Sequence, residues 1–316
     1  MGVHADAAPT RARIVVGLGT IYVVWGSTFA AVAIAVRDLP PLLAMGIRHV
    51  TAGAVLLAWS LPRSGGPRML GRRELLAGFV FGGALFLAGH GGLAWAQQTV
   101  PSGLAALLIA SIPLWMVLLD RLLFGKRLHR AAYLGLMSGF AGIALLVDPF
   151  GAKDVDRVAA VVIVASALAW AAGSLYSRGA PLPRQPFVAA GLAALCGGLL
   201  LLGAASVGGE WADARFTADA LGAVAYLVVV GTLVGFVTYV WLLQHAPTSL
   251  VSTYAYANPV IAVFIGWAFL GESVGWSTLG AGALVIASVA LIVATGGKEL
   301  ERGRGLRRRR VREAET

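Results

Sequence analysis

The stretch of sequence that decides the fold occurs twice. Residues 95–125 read WAQQTVPSGLAALLIASIPLWMVLLDRLLFG, and residues 241–271 read WLLQHAPTSLVSTYAYANPVIAVFIGWAFLG. Each stretch contains an apolar run of about 20 residues, the length that an α-helix needs to cross the hydrocarbon core of a bilayer. The chain is therefore predicted to be an internally duplicated membrane protein.

The two stretches align without a gap when the chain is shifted by 146 residues. This register pairs residue types that are uncommon in apolar sequence: Trp95 with Trp241, Gln98 with Gln244, Pro101 with Pro247 and Pro113 with Pro259. A shift of 145 residues extends the match upstream: Trp25 with Trp170, Pro41 with Pro186, Gly46 with Gly191 and Gly53 with Gly198. We predict four units: an N-terminal segment at 1–13, a first five-helix repeat at 14–147, a second at 157–295 and a basic tail at 296–316.

Apolar runs long enough to span a membrane cover most of the chain. They lie at 14–36, 41–61, 75–97, 101–120, 131–147, 157–177, 186–207, 219–243, 248–270 and 276–295. Of the 316 residues 58% are hydrophobic and only 13% are charged, against about 25% charged residues in soluble domains. The composition and the runs predict an all-α integral membrane protein with ten transmembrane helices. Cys196 is the one cysteine, which excludes an intramolecular disulfide and a Cys-rich metal site.

The basic residues predict the orientation of the chain. With the N-terminus inside, 12 Lys or Arg residues before the tail fall on the inner side and four on the outer side. By the positive-inside rule, both termini of this multi-pass protein are predicted to be cytoplasmic, in a bacterial inner membrane. Because each repeat has an odd number of helices, the two repeats must be inverted. The turn Gly125-Lys126-Arg127 is basic, whereas its counterpart Gly271-Glu272-Ser273, predicted to face outward, is not.

Inverted repeats are a recurring architecture of transporters, which bind substrate near the midplane between the two halves. One half can exchange conformations with the other in such a protein. The architecture therefore predicts an alternating-access transporter of a small molecule.

Five segments carry a resemblance to a known family. They are Trp25-Gly26-Ser27-Thr28, Pro40-Pro41 through Arg48, Val100-Pro101-Ser102-Gly103, Trp170-Ala171-Ala172-Gly173-Ser174 and Tyr254-Ala255-Tyr256-Ala257-Asn258-Pro259-Val260. From Ile14 to Thr295 the chain resembles the EamA branch of the drug/metabolite transporter superfamily, and within it the YedA-like inner-membrane proteins. The resemblance implies ten helices, a central cavity lined by both halves, and export or exchange of small metabolites, amino acids or drugs. The chain departs from the pattern at Lys126, where the family often has Glu, and at His90, where we expect a small amide residue.

Two prolines in register are candidates for a hinge or for lining the substrate pathway. Pro113 and Pro259 lie near the middle of the fourth and ninth runs, and each lacks an N–H and clashes with the carbonyl four residues earlier. Such a carbonyl persists in a membrane only where protein, water or substrate satisfies it. A packing kink without a role in transport is the alternative.

Three polar side chains at depth are further candidates for the substrate pathway. Asn258 shares a helix face with Tyr254, four residues earlier, and its amide either contacts substrate or bonds to another helix. Arg48 and His90 lie about seven residues, or ~10 Å, from the outer ends of their helices. Arg48 binds an anion, packs structurally or extends to the surface. His90 is the group at depth that can titrate near neutral pH, unless it is a packing histidine.

Trp25 and Trp170 complete the candidate pathway as walls of a cavity, because they correspond across the repeat and lie well inside their helices. Ser27 and Ser174 are candidates to supply hydroxyl groups there, although a serine in a membrane helix usually bonds to its own backbone. No Asp or Glu falls near the centre of a run, which argues against a carboxylate-based proton relay.

The tail holds seven arginines between Arg302 and Arg312. It either attracts anionic lipid, at about 1 kcal/mol per basic residue near the surface, or helps to fix the topology; nucleic-acid binding is not expected. The sequence contains no HExxH, no GxSxG and no paired membrane aspartates, so we expect a transporter and not an intramembrane enzyme. No cofactor or metal is predicted, and the partners are a small-molecule substrate and membrane lipid. Export is the favoured direction; a passive channel and an importing permease are the alternatives, and the protein is a monomer or a homodimer.

Overall fold

The computed structural model describes residues 11–67, 70–125, 130–147 and 156–294. Within these ranges the chain forms ten long helices, numbered here in chain order. They are α1 Arg11–Ala35, α2 Pro41–Ser60, α3 Arg72–Ala96, α4 Ser102–Phe124, α5 Arg130–Val147, α6 Arg157–Tyr176, α7 Pro186–Val207, α8 Ala218–His245, α9 Tyr254–Leu270 and α10 Trp276–Ala294. Nine of them are long and apolar enough to cross a membrane, and α9 is apolar, 17 residues long and preceded by the short helix Thr248–Val251. The predicted all-α fold of ten membrane helices is confirmed. The N-terminal residues 1–10, Lys126, Arg127 and the Arg-rich tail lie outside the described residues.

Equivalent helices of the two halves begin and end in the same way. Pro41 and Pro186 lie in the first turns of α2 and α7, where a proline loses no helical hydrogen bond because those N–H groups have no partner within the helix. Gly125 and Gly271 end α4 and α9 with φ values of 64° and 67°, a left-handed conformation that glycine adopts without steric cost. The repeated residues therefore act as repeated helix boundaries.

Polar contacts between loops show that successive helices run in opposite directions. The loops after the odd-numbered helices are joined to one another, or to the helix starts beside them: Thr217 with Asp38, Leu43 with Glu210, Thr99 with Asp156, and both Ser102 and Gly103 with Glu272. At the opposite end of the molecule, Asp120 at the end of α4 pairs with Arg178 after α6. We name these the Glu272 end and the Asp120 end. Helix α8 starts at the Glu272 end, after Thr217, and Glu272 itself follows α9. Because α8 runs away from the Glu272 end, α9 must cross the molecule to return to it.

Each half packs its first helix against the other half. Helix α1 packs on α8 and α9, and α6 packs on α3 and α4. The second helices of the two halves, α2 and α7, lie side by side with a close approach at Gly53, where a Cβ would fall 2.5 Å from the backbone nitrogen of Leu195. Small residues of this kind allow membrane helices to pack closely. The two halves therefore form one interlocked bundle.

The third helices of the two halves are interrupted at matching places. Both third helices contain a π-helical segment, Gly83–Gly91 in α3 and Leu227–Val234 in α8, and these ranges overlap when the repeats are aligned. Helix α4 also has a break at residues 110–111, and a break at residues 252–253 precedes α9, four residues before the aligned position. Mid-helix π segments are frequent at functional sites, so the interior near α3 and α8 is the place to look for one.

Candidate functional site

The two tryptophans that correspond across the repeat each lie on the π segment of the opposite half. The indole Nε1 of Trp25 in α1 donates a hydrogen bond to the carbonyl of Gly231 in α8, at 3.2 Å. The ring of Trp170 in α6 lies against Gly89 in α3, and its centroid is 4.9 Å from that of His90. The structure thus places both predicted wall residues at the interface between the halves.

A second side chain from α6 bonds to the π segment of α3. The hydroxyl of Ser166, which is buried, donates to the carbonyl of Ala88 at 3.0 Å. In both halves, therefore, a carbonyl of the π segment is satisfied by a side chain from the first helix of the other half. Such bonds compensate for carbonyls that leave the regular helical ladder inside a membrane.

Trp25 forms an aromatic cluster with two tyrosines, Tyr239 and Tyr254. Its ring centroid is 5.2 Å from that of Tyr239 and 4.9 Å from that of Tyr254, and the two tyrosines are 5.9 Å apart. The edge-to-face arrangement of Tyr254 with both other rings is a favourable one for aromatic pairs. The cluster joins α1 of the first half to α8 and α9 of the second.

Asn258 lies one turn beyond this cluster, on the side of α9 that faces α1. It is 8% exposed, and its side-chain oxygen has no hydrogen-bond donor among the described residues. Gly26 allows α1 to approach here, since a Cβ at Gly26 would lie 3.2 Å from the backbone oxygen of Asn258. A buried acceptor without a donor costs about 1–3 kcal/mol. A substrate that carries an N–H or O–H group would remove this cost.

Arg48 in α2 is buried and has no acidic partner. It is 6% exposed, its Nη1 lies 3.9 Å from the sulfur of Met45, and its Nε has no acceptor. Within the described ranges no carboxylate lies at salt-bridge distance from the guanidinium. The side chain therefore does not extend to the surface, which was one of the three alternatives drawn from the sequence.

His90 is not the one titratable group at depth, and that expectation needs correction. Nε2 of His49 lies 2.8 Å from Nδ1 of His90, and the two rings are stacked with centroids 4.9 Å apart. His49 is 1% exposed and its Nδ1 has no partner, while Phe86 packs on its ring at 4.2 Å. Sequence reasoning missed His49, although its depth in α2 is nearly that of Arg48. The two imidazoles share a hydrogen bond, so a change in one ring affects the other.

The remaining candidates have simpler surroundings. Ser27 donates to the carbonyl of Val24 and accepts from the hydroxyl of Tyr226 in α8, at 2.6 Å. Ser174 donates to the carbonyl of Trp170, one turn earlier in its own helix, which is the backbone-bonded alternative.

The two prolines differ in their setting. Pro113 lies in the first turn of the helical segment that follows the break in α4. Pro259 is buried inside α9, next to Asn258. A proline in a first turn has no helical hydrogen bond to lose, whereas one inside a helix does.

Two groups of site residues result, and Gly231 lies between them. The Asn258 group consists of Trp25, Tyr239, Tyr254 and Asn258; the Arg48 group consists of Arg48, His49, Phe86, His90 and Trp170. The carbonyl of Gly231 accepts the hydrogen bond from Trp25, and a Cβ on Gly231 would lie 3.7 Å from Nη2 of Arg48.

Comparison with known proteins shows the family. The model of the EamA-like transporter family matches residues 14–148 and 157–294. The chain belongs to this family. Among its EamA-family relatives, the Escherichia coli (strain K12) protein named "Uncharacterized inner membrane transporter YedA" is 33% identical over 287 residues, which cover 90% of each chain. The Salmonella typhimurium "Probable amino-acid metabolite efflux pump" is 23% identical over 86% of this chain and 92% of that protein.

A solved structure, "Crystal structure of protein", shares the fold of this chain. It matches with a TM-score of 0.61 at 22% identity and covers 92% of this chain and 100% of its own. Membership of the EamA family confirms the resemblance seen in the sequence and the two-repeat architecture. It also confirms the prediction of a multi-pass inner-membrane transporter, and not an enzyme.

Proposed function

We propose that this EamA-family protein is an alternating-access exporter of small metabolites, amino acids or drugs. The observation that carries the proposal is the reciprocal docking of Trp25 and Trp170 on the π segments of the opposite halves. A substrate held between these tryptophans contacts both halves at once, as alternating access requires. The name of the Salmonella relative, an amino-acid metabolite efflux pump, supports export of compounds of that class.

In this proposal the substrate lies between the Asn258 group and the Arg48 group, and the two ends of the molecule open in turn. Four sets of polar contacts join the halves at the Glu272 end. These contacts break when that end opens, and the ion pair of Asp120 with Arg178 breaks when the other end opens. The helix breaks before Pro113 and Pro259 are the proposed points of bending.

Orientation, lipid contact and assembly belong to the same proposal. The Asp120 end and both termini face the cytoplasm, because 12 basic residues before the tail fall on that side and four on the other. The Arg-rich tail lies along anionic lipid at that surface. The protein works as a monomer or a homodimer and binds no nucleic acid.

A resistance screen followed by counterflow tests the function. A strain that overexpresses the protein is grown on a panel of toxic metabolites, amino-acid analogues and drugs, and export predicts resistance to a subset of them. A compound found in this way is then used in proteoliposomes, where an alternating-access carrier is accelerated by the same compound on the opposite side. Uptake without this acceleration would indicate a channel, and increased sensitivity in the screen would indicate an importer.

A further inference from the structure

Arg48 is the one Lys or Arg that lies well inside an apolar run. The guanidinium is buried beside α8: a Cβ on Gly231 would lie 3.7 Å from its Nη2 and 3.0 Å from the methyl group of Thr28 in α1. An ionisable group at such depth is expensive, and it usually pairs with an opposite charge or marks a substrate pathway. No pairing charge is found among the described residues, so the second role remains.

The neighbours of Arg48 leave its donors free for a ligand. A guanidinium has five N–H donors and no acceptor, and the one contact found for this group is the weak acceptor sulfur of Met45 at 3.9 Å. The hydroxyl of Thr28 donates to the backbone carbonyl of Trp25, and no hydrogen bond from Arg48 to its oxygen is found. The carbonyl of Gly231 already accepts from Trp25. The nearby His49 and His90 bond to each other.

We infer that Arg48 binds the carboxylate of a small substrate with an apolar body, an inference that rests on the proposed transport function and deepens it. A carboxylate matches the planar fork of a guanidinium with two parallel hydrogen bonds. One positive charge at depth neutralises one negative charge, whereas a phosphate dianion would need a second cation. Phe86, which packs on the neighbouring His49, and Trp25, which bonds to the neighbouring Gly231, are the aromatic rings that contact the apolar body.

Binding to the purified full-length protein tests this inference without requiring transport. The probes are three carboxylates, each paired with its neutral amide of the same shape: butyrate with butyramide, 3-phenylpropanoate with 3-phenylpropanamide, and L-phenylalanine with L-phenylalaninamide. We expect the parent protein to bind at least one carboxylate about tenfold or more tightly than its amide, the scale of a hydrogen-bonded charge pair. Equal binding within all three pairs would overturn the inference.

Three variants separate recognition of the carboxylate from a structural role of Arg48. In Arg48→Met the preference for the carboxylate disappears while the unfolding temperature does not fall, because an apolar side chain replaces an unpaired buried charge. In Arg48→Lys the preference is weakened but kept. Arg37→Met removes an exposed arginine from the α1–α2 loop. This control changes neither the preference for the carboxylate nor the unfolding temperature. An Arg48→Met protein that unfolds at a lower temperature and keeps the preference would show that the arginine is structural.

The same variants distinguish failure of this inference from failure of the proposed function. Normal counterflow in Arg48→Met would support the proposed transport function and contradict the carboxylate site. The opposite result is a carboxylate preference that depends on Arg48 in a protein that shows no counterflow of any probe or screened compound. It would support the carboxylate site and contradict the proposed transport function.

Discussion

At the scale of single residues, the interior of this protein holds polar atoms that its own side chains do not satisfy. Asn258 presents an acceptor without a donor, and Arg48 presents donors without a good acceptor. Native interiors satisfy nearly all such atoms, so each exception calls for an explanation. Among the six such side-chain atoms in the described residues, these two are chemically opposite, and both lie beside residues that contact Gly231 or the aromatic cluster. Under the proposed transport function, a substrate with both kinds of group would satisfy both.

Replacement of Asn258 tests this explanation from the acceptor side. Asn258→Ala is expected to lower transport tenfold or more while protein levels stay unchanged, because the oxygen that is lost makes no bond within the protein and a hydrogen bond to a charged group contributes about 1.5–3 kcal/mol. Transport of a compound from the resistance screen is measured at matched protein levels. Ser174→Ala is the control, since that hydroxyl bonds to its own backbone. Equal transport by Asn258→Ala and the parent would remove Asn258 from the site.

The imidazole pair makes a separate prediction. His49→Gln, His90→Gln and the double variant are expected to alter the pH profile of transport alike, because the two rings share one hydrogen bond and residues that act as a unit are not additive. Initial rates are measured between about pH 5.5 and 8, the range in which histidine titrates. A normal profile in His90→Gln would exclude the pair as the proton-responsive group, and additive effects would show that the rings act separately.

At the scale of helices, the paired interruptions of α3 and α8 place tryptophan rings at the interface. Gly89 and Gly235 provide the flat surfaces on which Trp170 and Trp25 lie. Regular α-helices with larger residues at these positions would push the rings outward. The element that organises the site is therefore the first helix of each half together with the π segment it crosses.

A methyl group added at Gly235 is expected to displace Trp25. The Cβ would lie 2.5 Å from the indole Nε1, so Gly235→Ala moves the ring away and breaks its hydrogen bond to Gly231. Overpacking of this kind costs about 1–3 kcal/mol, which is measured as a lower unfolding temperature together with reduced transport. Gly222→Ala is the matched control on the same helix, since a Cβ there meets nothing within 4 Å. Equal effects of the two substitutions would contradict the docking of Trp25.

The start of α6 has its own pH dependence. The carboxylate of Asp156 accepts hydrogen bonds from the backbone N–H of Ala159 and from the hydroxyl of Thr99, and these two bonds, the first above all, hold the pKa of Asp156 below its usual value. A lowered pKa stabilises the folded state above the unfolded pKa, and this stabilisation is lost as the pH falls through the lower folded value.

Asp156→Asn separates the charge from the helix cap. Asparagine keeps an acceptor for the N–H groups at the start of the helix, so this variant is expected to lose the dependence between about pH 2 and 5 that the carboxylate contributes as the pH falls through its ordinary and its lowered pKa. Asp156→Ala loses the cap as well and unfolds at a lower temperature throughout. Unfolding temperatures are compared across that range. An unchanged acid dependence in Asp156→Asn would show that other carboxylates cause it.

At the scale of the whole molecule, the two ends are held by different means. Glu272, after α9 of the second half, caps α4 of the first half by accepting from the N–H groups of Ser102 and Gly103 at 2.6 and 3.0 Å. A carboxylate at a helix N-terminus satisfies free donors and interacts favourably with the helix dipole. The structure therefore corresponds to a state in which polar contacts hold the Glu272 end closed.

Release of this contact is expected to open the Glu272 end. Ser102 is fully buried, so a cysteine introduced by Ser102→Cys, in a background where Cys196 is replaced by alanine, reacts slowly with a membrane-impermeant maleimide. Glu272→Ala is expected to accelerate this labelling several-fold, whereas Asp120→Ala, at the opposite end, does not. Identical labelling rates with and without Glu272 would contradict its role as a fastener.

The sequence by itself determined the helices, the duplication and most helix ends to within a few residues; the break that starts α9 at Tyr254 and not at residue 248 was not predicted. Each membrane helix satisfies its own backbone hydrogen bonds, so the length of an apolar run, a proline such as Pro41 and a glycine such as Gly271 suffice to place it. Depth in the membrane can be counted in the same way along one helix. That is why Arg48 and Asn258 could be proposed as interior groups before any contact was known.

Only the tertiary structure decided which of these interior groups meet. The rotation of each helix about its axis decides which side chains come into contact. It brings His49 to His90 and Trp25 to Gly231, and it leaves Arg48 without a good acceptor. A helix that is apolar on all sides carries little sequence information about that rotation. The rotation is set by packing between remote helices, through glycines and rings that come from both halves.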